Sequence, residues 1–321
     1  MKKVTGHQVV EQRFADALQR GNMHHAWLLH GIKGIGKYTL AENLAARLLC
    51  ESHSACGSCH ACLMLAAGSH PDVYQIGLLE KKRDISIDQV RELLGFLALS
   101  GSESERRVVI LDDADRLNNQ AANALLKGLE EPSPGSLLLI VCADVEKLPA
   151  TIRSRCMLQH CAPLNPADVR TVLKTEFAES LGADNVLLDL AVEFADGCPG
   201  AVSCLHERSI IDALQSLAKL VADMASSDIG KLENWCRTNV ATVPHGLIVR
   251  VLLQPLYPLL QSPKPDSFAA TQVLHKAVHG CLRWPGEVQR QSLRPAASLL
   301  ACLLGAHMME RLRRFYPKLP R

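Results

Sequence analysis

Apolar runs and helical apolar stripes alternate through the first half of this chain, and stripes alone fill the second. Residues 26–29 (Ala26, Trp27, Leu28, Leu29) and 137–141 are uninterrupted apolar runs and 107–111 is apolar after Arg107, as a buried parallel strand requires, while 73–76 and 157–160 read as two further short strands. Between them, Leu40, Leu44, Leu48 and Leu49, and then Ile87, Val90, Leu93, Leu94 and Leu97, recur at helical spacing. A further helix over 119–130 is closed by Pro132 and Pro134. This rhythm predicts an α/β, doubly wound, mostly parallel sheet that ends near Cys161. An amphipathic lead-in over 2–21, with Val9, Val10, Phe14 and Leu18 on its apolar positions, is expected to cover one edge of it.

After Pro163 and Pro166 no strand pattern returns. Stretches 165–177, 185–194 and 200–207 predict a small three-helix unit. Ile210, Leu214, Leu217 and Val221, then 247–260 and 293–312, predict an all-helical third domain interrupted at Pro244, Pro258, Pro263 and Pro265. The expected division is therefore 1–161, 162–208 and 209–321.

Between the first strand and its helix lies Gly31-Ile32-Lys33-Gly34-Ile35-Gly36-Lys37-Tyr38-Thr39. GxxxxGK after a strand and before a helix is the phosphate loop: small residues let backbone N–H groups surround phosphate oxygens, and the lysine neutralises their charge. Gly31, Gly34, Gly36 and Lys37 are the candidate nucleotide ligands. The pattern asks next for a Ser or Thr whose hydroxyl binds Mg²⁺, and this chain has Tyr38. Thr39 follows one residue later, turned by about 100° on a helix. The loop is suited to holding phosphate and less suited to cleaving it. The strand 107–111 runs into Asp112 and Asp113, the Walker B arrangement, in which a carboxylate at a strand's C-terminal edge reaches Mg²⁺ beside the phosphate loop. Asp112 is the candidate for that role. Asp113 stands where active enzymes usually carry a glutamate to polarise water.

Cys50, Cys56, Cys59 and Cys62 follow the loop's helix with spacings that can bring four thiolates around tetrahedral Zn²⁺, and His53 or His60 is an alternative ligand for one of them. An excursion rich in Ser, His and Gly has little to bury and needs such a clamp. Four ligands leave no open position for chemistry, so the zinc is expected to be structural.

The 321 residues carry a net charge of +2, which gives little pull on a polyanion. A basic cluster at Arg311, Arg313, Arg314, Lys318 and Arg321 is better suited to complementing a helix end than to holding nucleic acid. The other eight of the twelve cysteines are scattered among apolar segments, as core thiols in a reducing compartment are. With no apolar segment behind Met1-Lys2-Lys3, and no apolar run of membrane-spanning length, a cytoplasmic location is expected.

Taken together, HHAWLLHGIKGIGK, the four-cysteine excursion, ANALLKGLEEP (122–132) and LPATIRSRC (148–156) resemble the bacterial clamp-loader AAA+ proteins of DNA polymerase III. The resemblance is strongest over 24–161. It implies a hetero-pentameric ring, with gamma/tau and delta subunits as partners, that opens a sliding clamp and sets it around primed DNA. It also implies a small helical lid over 162–208 and a helical collar beyond. Family members present the arginine of Ser-Arg-Cys to the ATP held by a neighbour, which maps onto Arg155; Arg153 is the alternative. A permanently charged, bidentate guanidinium is suited to that task.

Departures from the hydrolysing pattern accompany Tyr38. The polar γ-phosphate sensor is replaced by Cys142-Ala143, and the second-domain arginine by Gly200 within Gly197-Cys198-Pro199-Gly200. The resemblance thus implies a subunit that does not turn over ATP/Mg²⁺ and serves its neighbour through Arg155. Two other readings are a gamma-like ATPase and a zinc-stabilised nucleic-acid-binding module. The low charge, and the absence of interleaved aromatic and basic residues near the cysteines, disfavour the last.

Overall fold

The computed structural model describes residues 4–99, 106–177, 185–222, 229–254, 268–291, 294–295 and 298–299. The chain divides into two compact units, one of Met1–Val172 with Asp196–Gly200, the other of Leu173–Ala195 with Ala201–Arg321.

The first unit is a sheet of five parallel strands, β1 (Ala26–His30), β2 (Val73–Ile76), β3 (Arg107–Leu111), β4 (Ser136–Cys142) and β5 (Met157–His160), in the order β2-β3-β4-β1-β5. Every residue of β3 is buried, as are all but the ends of β1 and β4, which is why these strands read as continuous apolar runs. The edge strands β2 and β5 are only partly covered. Helices α1 (Gln8–Gln19), α2 (Lys37–Leu49), α3 (His60–Ala66), α4 (Ile87–Ala98), α5 (Asn119–Glu130) and the single turn α6 (Ala150–Arg153) connect or flank the strands. Sequence sets their starts. Ser86 caps α4 in a reciprocal capping box with Gln89, and the Asn118 side chain accepts from the Ala121 N–H at the start of α5. One core cluster joins α4 and α5, through Val90, Leu93, Ala121 and Leu125, to the β3 and β4 side chains.

The lead-in helix is present, but its apolar face is narrower than expected. Val10 and Phe14 are buried, whereas Val9 is 65% exposed. Phe14 meets Trp27 of β1 edge-on at 5.0 Å, and Arg13 Nη1 donates to Gln159 Oε1 of β5 at 3.1 Å. The helix is thereby tied to the β5 side of the sheet.

Helix α7 (Pro166–Glu176) begins in the first unit and runs into the second. The second unit contains α8 (Asn185–Ala195), a 3-10 segment ending at His206, α9 (Arg208–Ala222), α10 (Ile229–Asn239), α11 (His245–Leu253) and α12 (Phe268–Gln291). Trp235 of α10 donates its indole N–H to the Ala213 carbonyl of α9 at 2.9 Å, and His245 of α11 lies 4.6 Å from the Trp284 ring of α12. Pro244 caps α11 as a chain break, while Pro285 is accommodated inside α12. Pro258, Pro263, Pro265 and the basic cluster from Arg311 to Arg321 lie outside the described residues. No helix among the described residues is long and apolar enough to cross a membrane.

Candidate functional site

Strand order assembles the site. β4 lies between β1, which feeds the phosphate loop, and β3, which ends at the acidic pair, so three C-terminal strand tips converge on one edge. Gly31, Gly34 and Gly36 have φ of 148°, 89° and 87°, the left-handed side that favours glycine. At Gly31 the reason is also steric, since a Cβ there would collide with the Cys161 carbonyl oxygen at the end of β5.

Lys37 opens α2 and is buried, and its Nζ donates to the carbonyl of Ile32 in the same loop at 2.7 Å. Burial pushes its ammonium below the ordinary lysine range, with Cys161, Cys142, Asp112 and Asp115 opposing. Burial likewise raises the Asp112 carboxyl, against a 2.8 Å hydrogen bond from the Asp113 N–H. Asp113 itself has φ 47° and accepts an ion pair at 3.4 Å from Lys33 at the loop's tip. Tyr38 turns its hydroxyl to Gln75 Oε1 of β2 at 2.7 Å, and its pKa is pushed up to about 12 by burial and by Glu42 and Asp112. A phenol in that direction is not the short hydroxyl a Mg²⁺ ligand would need. Thr39 is half-buried on α2, next along the helix. At the tip of β4, the Ala143 N–H donates to Asp115 Oδ1 at 3.0 Å, so this position offers backbone and a methyl group to the site.

Reasoning from sequence missed one contact. Gly200 donates its N–H to the Gly34 carbonyl at 2.9 Å, which brings the segment 196–200 against the phosphate loop. The string Gly-Cys-Pro-Gly reads only as the place of a missing arginine, and nothing in its spacing names the loop it meets.

The cysteine excursion is pinched between two helices. Cys50 is the C-cap of α2, Cys59 the N-cap of α3, and Cys62 lies in the first turn of α3, a helix the Ser, His and Gly content concealed. All four sulfurs lie within 4.8 Å of one another, with 3.7 Å between Cys50 and Cys56 and 3.8 Å between Cys59 and Cys50. Zn–S bonds near 2.3 Å in a tetrahedron give an S···S edge of about 3.8 Å, so the cluster could hold a metal ion of that class. Histidine is absent from the group, and His53 turns its Nδ1 to the Arg47 carbonyl at 3.1 Å. Burial opposes ionisation of Cys50, yet hydrogen bonds from Ser52 and backbone N–H groups hold its thiol down to about 5. Ser58 and the Cys59 N–H lower Cys56 to about 7. Burial pushes the Cys62 thiol up to about 12, so in the absence of a cation the anion is favoured at Cys50 and Cys56 and opposed at Cys62.

Arg155 follows α6, is partly exposed, and is held by Glu130 Oε1 at 2.9 Å and by donation to the Thr151 carbonyl at 3.0 Å. Arg153 is instead paired with Glu146 at 2.6 Å.

The sheet order, glycine loop, acidic strand end and thiol cluster define a P-loop domain of the AAA+ type with an insert whose four thiols could hold a metal ion. Residues 6–165, just under half of the chain, match the family model described as DNA polymerase III, delta subunit. It is 47% identical over 145 residues to DNA polymerase III subunit delta' of Pseudomonas aeruginosa, covering 44% of this chain and 44% of that protein. It is 34% identical over 214 residues to subunit delta' of Escherichia coli, covering 66% of this chain and 63% of that protein. Subunit gamma of Buchnera aphidicola is 33% identical over 176 residues, 54% of this chain and 48% of its own length. The matches thus span roughly half of these relatives.

Proposed function

We propose that this chain is a delta-prime-type subunit of a DNA polymerase III clamp loader, that it does not turn over ATP, and that Arg155 serves the ATP site of an adjacent subunit. The supporting observation is Tyr38: the residue after the phosphate-loop lysine turns a phenol to Gln75 where metal-dependent hydrolysis needs a short hydroxyl. Ala143 at the β4 tip and Gly200 on the loop point the same way. In this reading its partners are gamma/tau and delta subunits, the sliding clamp and, through the complex, primed DNA, in the cytoplasm. Residues 162–208 then act as lid and 209–321 as collar, and Zn²⁺ held by Cys50, Cys56, Cys59 and Cys62 supports the insert. Zinc there supplies no reaction chemistry. A static nucleotide would meet Gly31, Gly34, Gly36, Lys37, Thr39 and Asp112.

A second reading, a gamma-like ATPase, draws on the buried Lys37 beside Asp112 and on the gamma relative. Phosphate release separates the two. The first reading expects none from the chain alone, and a drop on the order of 10³ at the partnered site when the assembled complex carries Arg155→Ala. Steady release by the chain alone that disappears in Lys37→Ala would overturn it, and unchanged complex activity with Arg155→Ala would remove the role in trans.

A further inference from the structure

The geometry points to a backbone latch, made by Gly200 on Gly34, that holds the phosphate loop closed against nucleotide. The inference rests on the reading of Gly31–Lys37 as a nucleotide site and adds how access to it is controlled.

Three observations carry it. First, Pro199 starts a 3-10 segment and has no N–H, so the Gly200 amide is the first free donor of that turn, and it is spent on the Gly34 carbonyl at 2.9 Å. Second, the approach is backbone on backbone. A Cβ at Gly200 would lie 2.8 Å from Gly34 Cα and 3.1 Å from its oxygen, and neither atom belongs to a side chain that could swing away. Gly200 does not have a positive φ, so the space beside Gly34, and no torsional demand, is what excludes a side chain there. Third, the latch has a fixed base: the Leu164 N–H donates to the Gly197 carbonyl at 2.9 Å, and a Cβ at Gly197 would lie 2.6 Å from the Pro163 ring.

The loop it holds is folded in on itself. Lys37 Nζ is spent on Ile32 O at 2.7 Å, and Lys33 is drawn to Asp113 at 3.4 Å. For phosphate to be wrapped, Lys37 must leave Ile32, and movement of the peptide that follows Gly34 is opposed by the Gly200 amide on its carbonyl. Nucleotide binding therefore has to break the latch first, and the apparent affinity is reduced by the fraction of molecules that are unlatched.

The test is a gain of binding. Mg²⁺–ATPγS is titrated calorimetrically into the full-length wild type, Gly200→Ala, and Gly200→Ala with Lys37→Ala. The expected result is binding at least tenfold tighter in Gly200→Ala, abolished by the added Lys37→Ala. Equal affinity in wild type and Gly200→Ala overturns the latch. Should Gly200→Ala not fold, hydrogen exchange at the glycine amides of the selectively labelled wild type decides. Protection of the Gly200 amide that falls on adding Mg²⁺–ATPγS supports the latch, and exchange as fast as in an open turn overturns it. Binding and hydrolysis fail separately. A wild type that releases phosphate contradicts the non-hydrolysing reading, whereas loss of the latch alone leaves that reading intact.

Discussion

Glu130, the last residue of α5, holds Arg155 at 2.9 Å, so the guanidinium of the Ser-Arg-Cys motif is aimed by the helix that carries Leu125, Leu126 and Lys127. Both side chains are substantially solvent-exposed, and pairs of this kind contribute about 0.2–1 kcal/mol. Arg155→Ala should therefore change the urea midpoint of the isolated chain by less than about 1 kcal/mol equivalent. Arg155→Lys should fail to restore the activity of the complex, because an ammonium lacks the planar fork. Recovery with lysine would show that charge alone suffices.

Metal analysis of the purified chain is expected to find one zinc per molecule. Cys59→Ser with Cys62→Ser should remove it. Because structural zinc in finger peptides binds with roughly 10–16 kcal/mol, losing two thiolates should lower stability by more than about 2 kcal/mol. Full zinc occupancy in the double variant would assign the ion to other ligands.

Two glycines that face crowded neighbours should respond differently to alanine. At Gly31 the obstacle is the Cys161 carbonyl and φ is 148°, so Gly31→Ala should destabilise by about 2 kcal/mol or more. At Gly128 the obstacle is the tip of the Leu94 side chain, which can rotate, and the residue is helical. There the propensity gain of about 0.5–1 kcal/mol offsets the repacking, and denaturation should show a change of less than about 1 kcal/mol.

Stability should fall as the solution is acidified through the histidine range. Burial, then His24, lowers His25, and burial, then His160 and Lys37, lowers His30. A depressed histidine binds fewer protons folded than unfolded. Its contribution is complete above the unfolded pKa of about 6.5 and is lost as pH drops from there through the folded value. Asp112 acts oppositely, because burial raises it, and its window opens upward from the ordinary carboxylate value. Urea midpoints measured from pH 7.5 to 5 should decline in the wild type and flatten in His25→Gln with His30→Gln. A slope unchanged by the substitutions would assign it elsewhere.

The bounds of β2, β3 and β5 were readable residue for residue, β3 because a central strand of a parallel sheet is apolar throughout, and the edge strands β2 and β5 because turn residues and helical stripes delimit them on either side. So were the glycine loop and the thiol spacing, whose chemistry is local. What stayed hidden was pairing between distant segments. No periodicity tells that Val9 faces outward while Val10 faces the sheet, that Lys37 folds back on Ile32, or that Gly200 meets Gly34. Helix α3 escaped because His60, Ala61 and Cys62 read as part of a metal loop until the cap at Cys59 is seen.

β4 lies between the strand of the phosphate loop and the strand of the acids, so its body bears the sheet's core while its tip alone faces the chemistry. The two demands fall on different residues of one segment. Leu137 to Val141 answer to packing, and Ala143 answers to the Asp115 carboxylate that its N–H meets beyond the strand's end. A substitution at the tip can therefore change what the strand offers a ligand while the packed body of the same strand stays as it is.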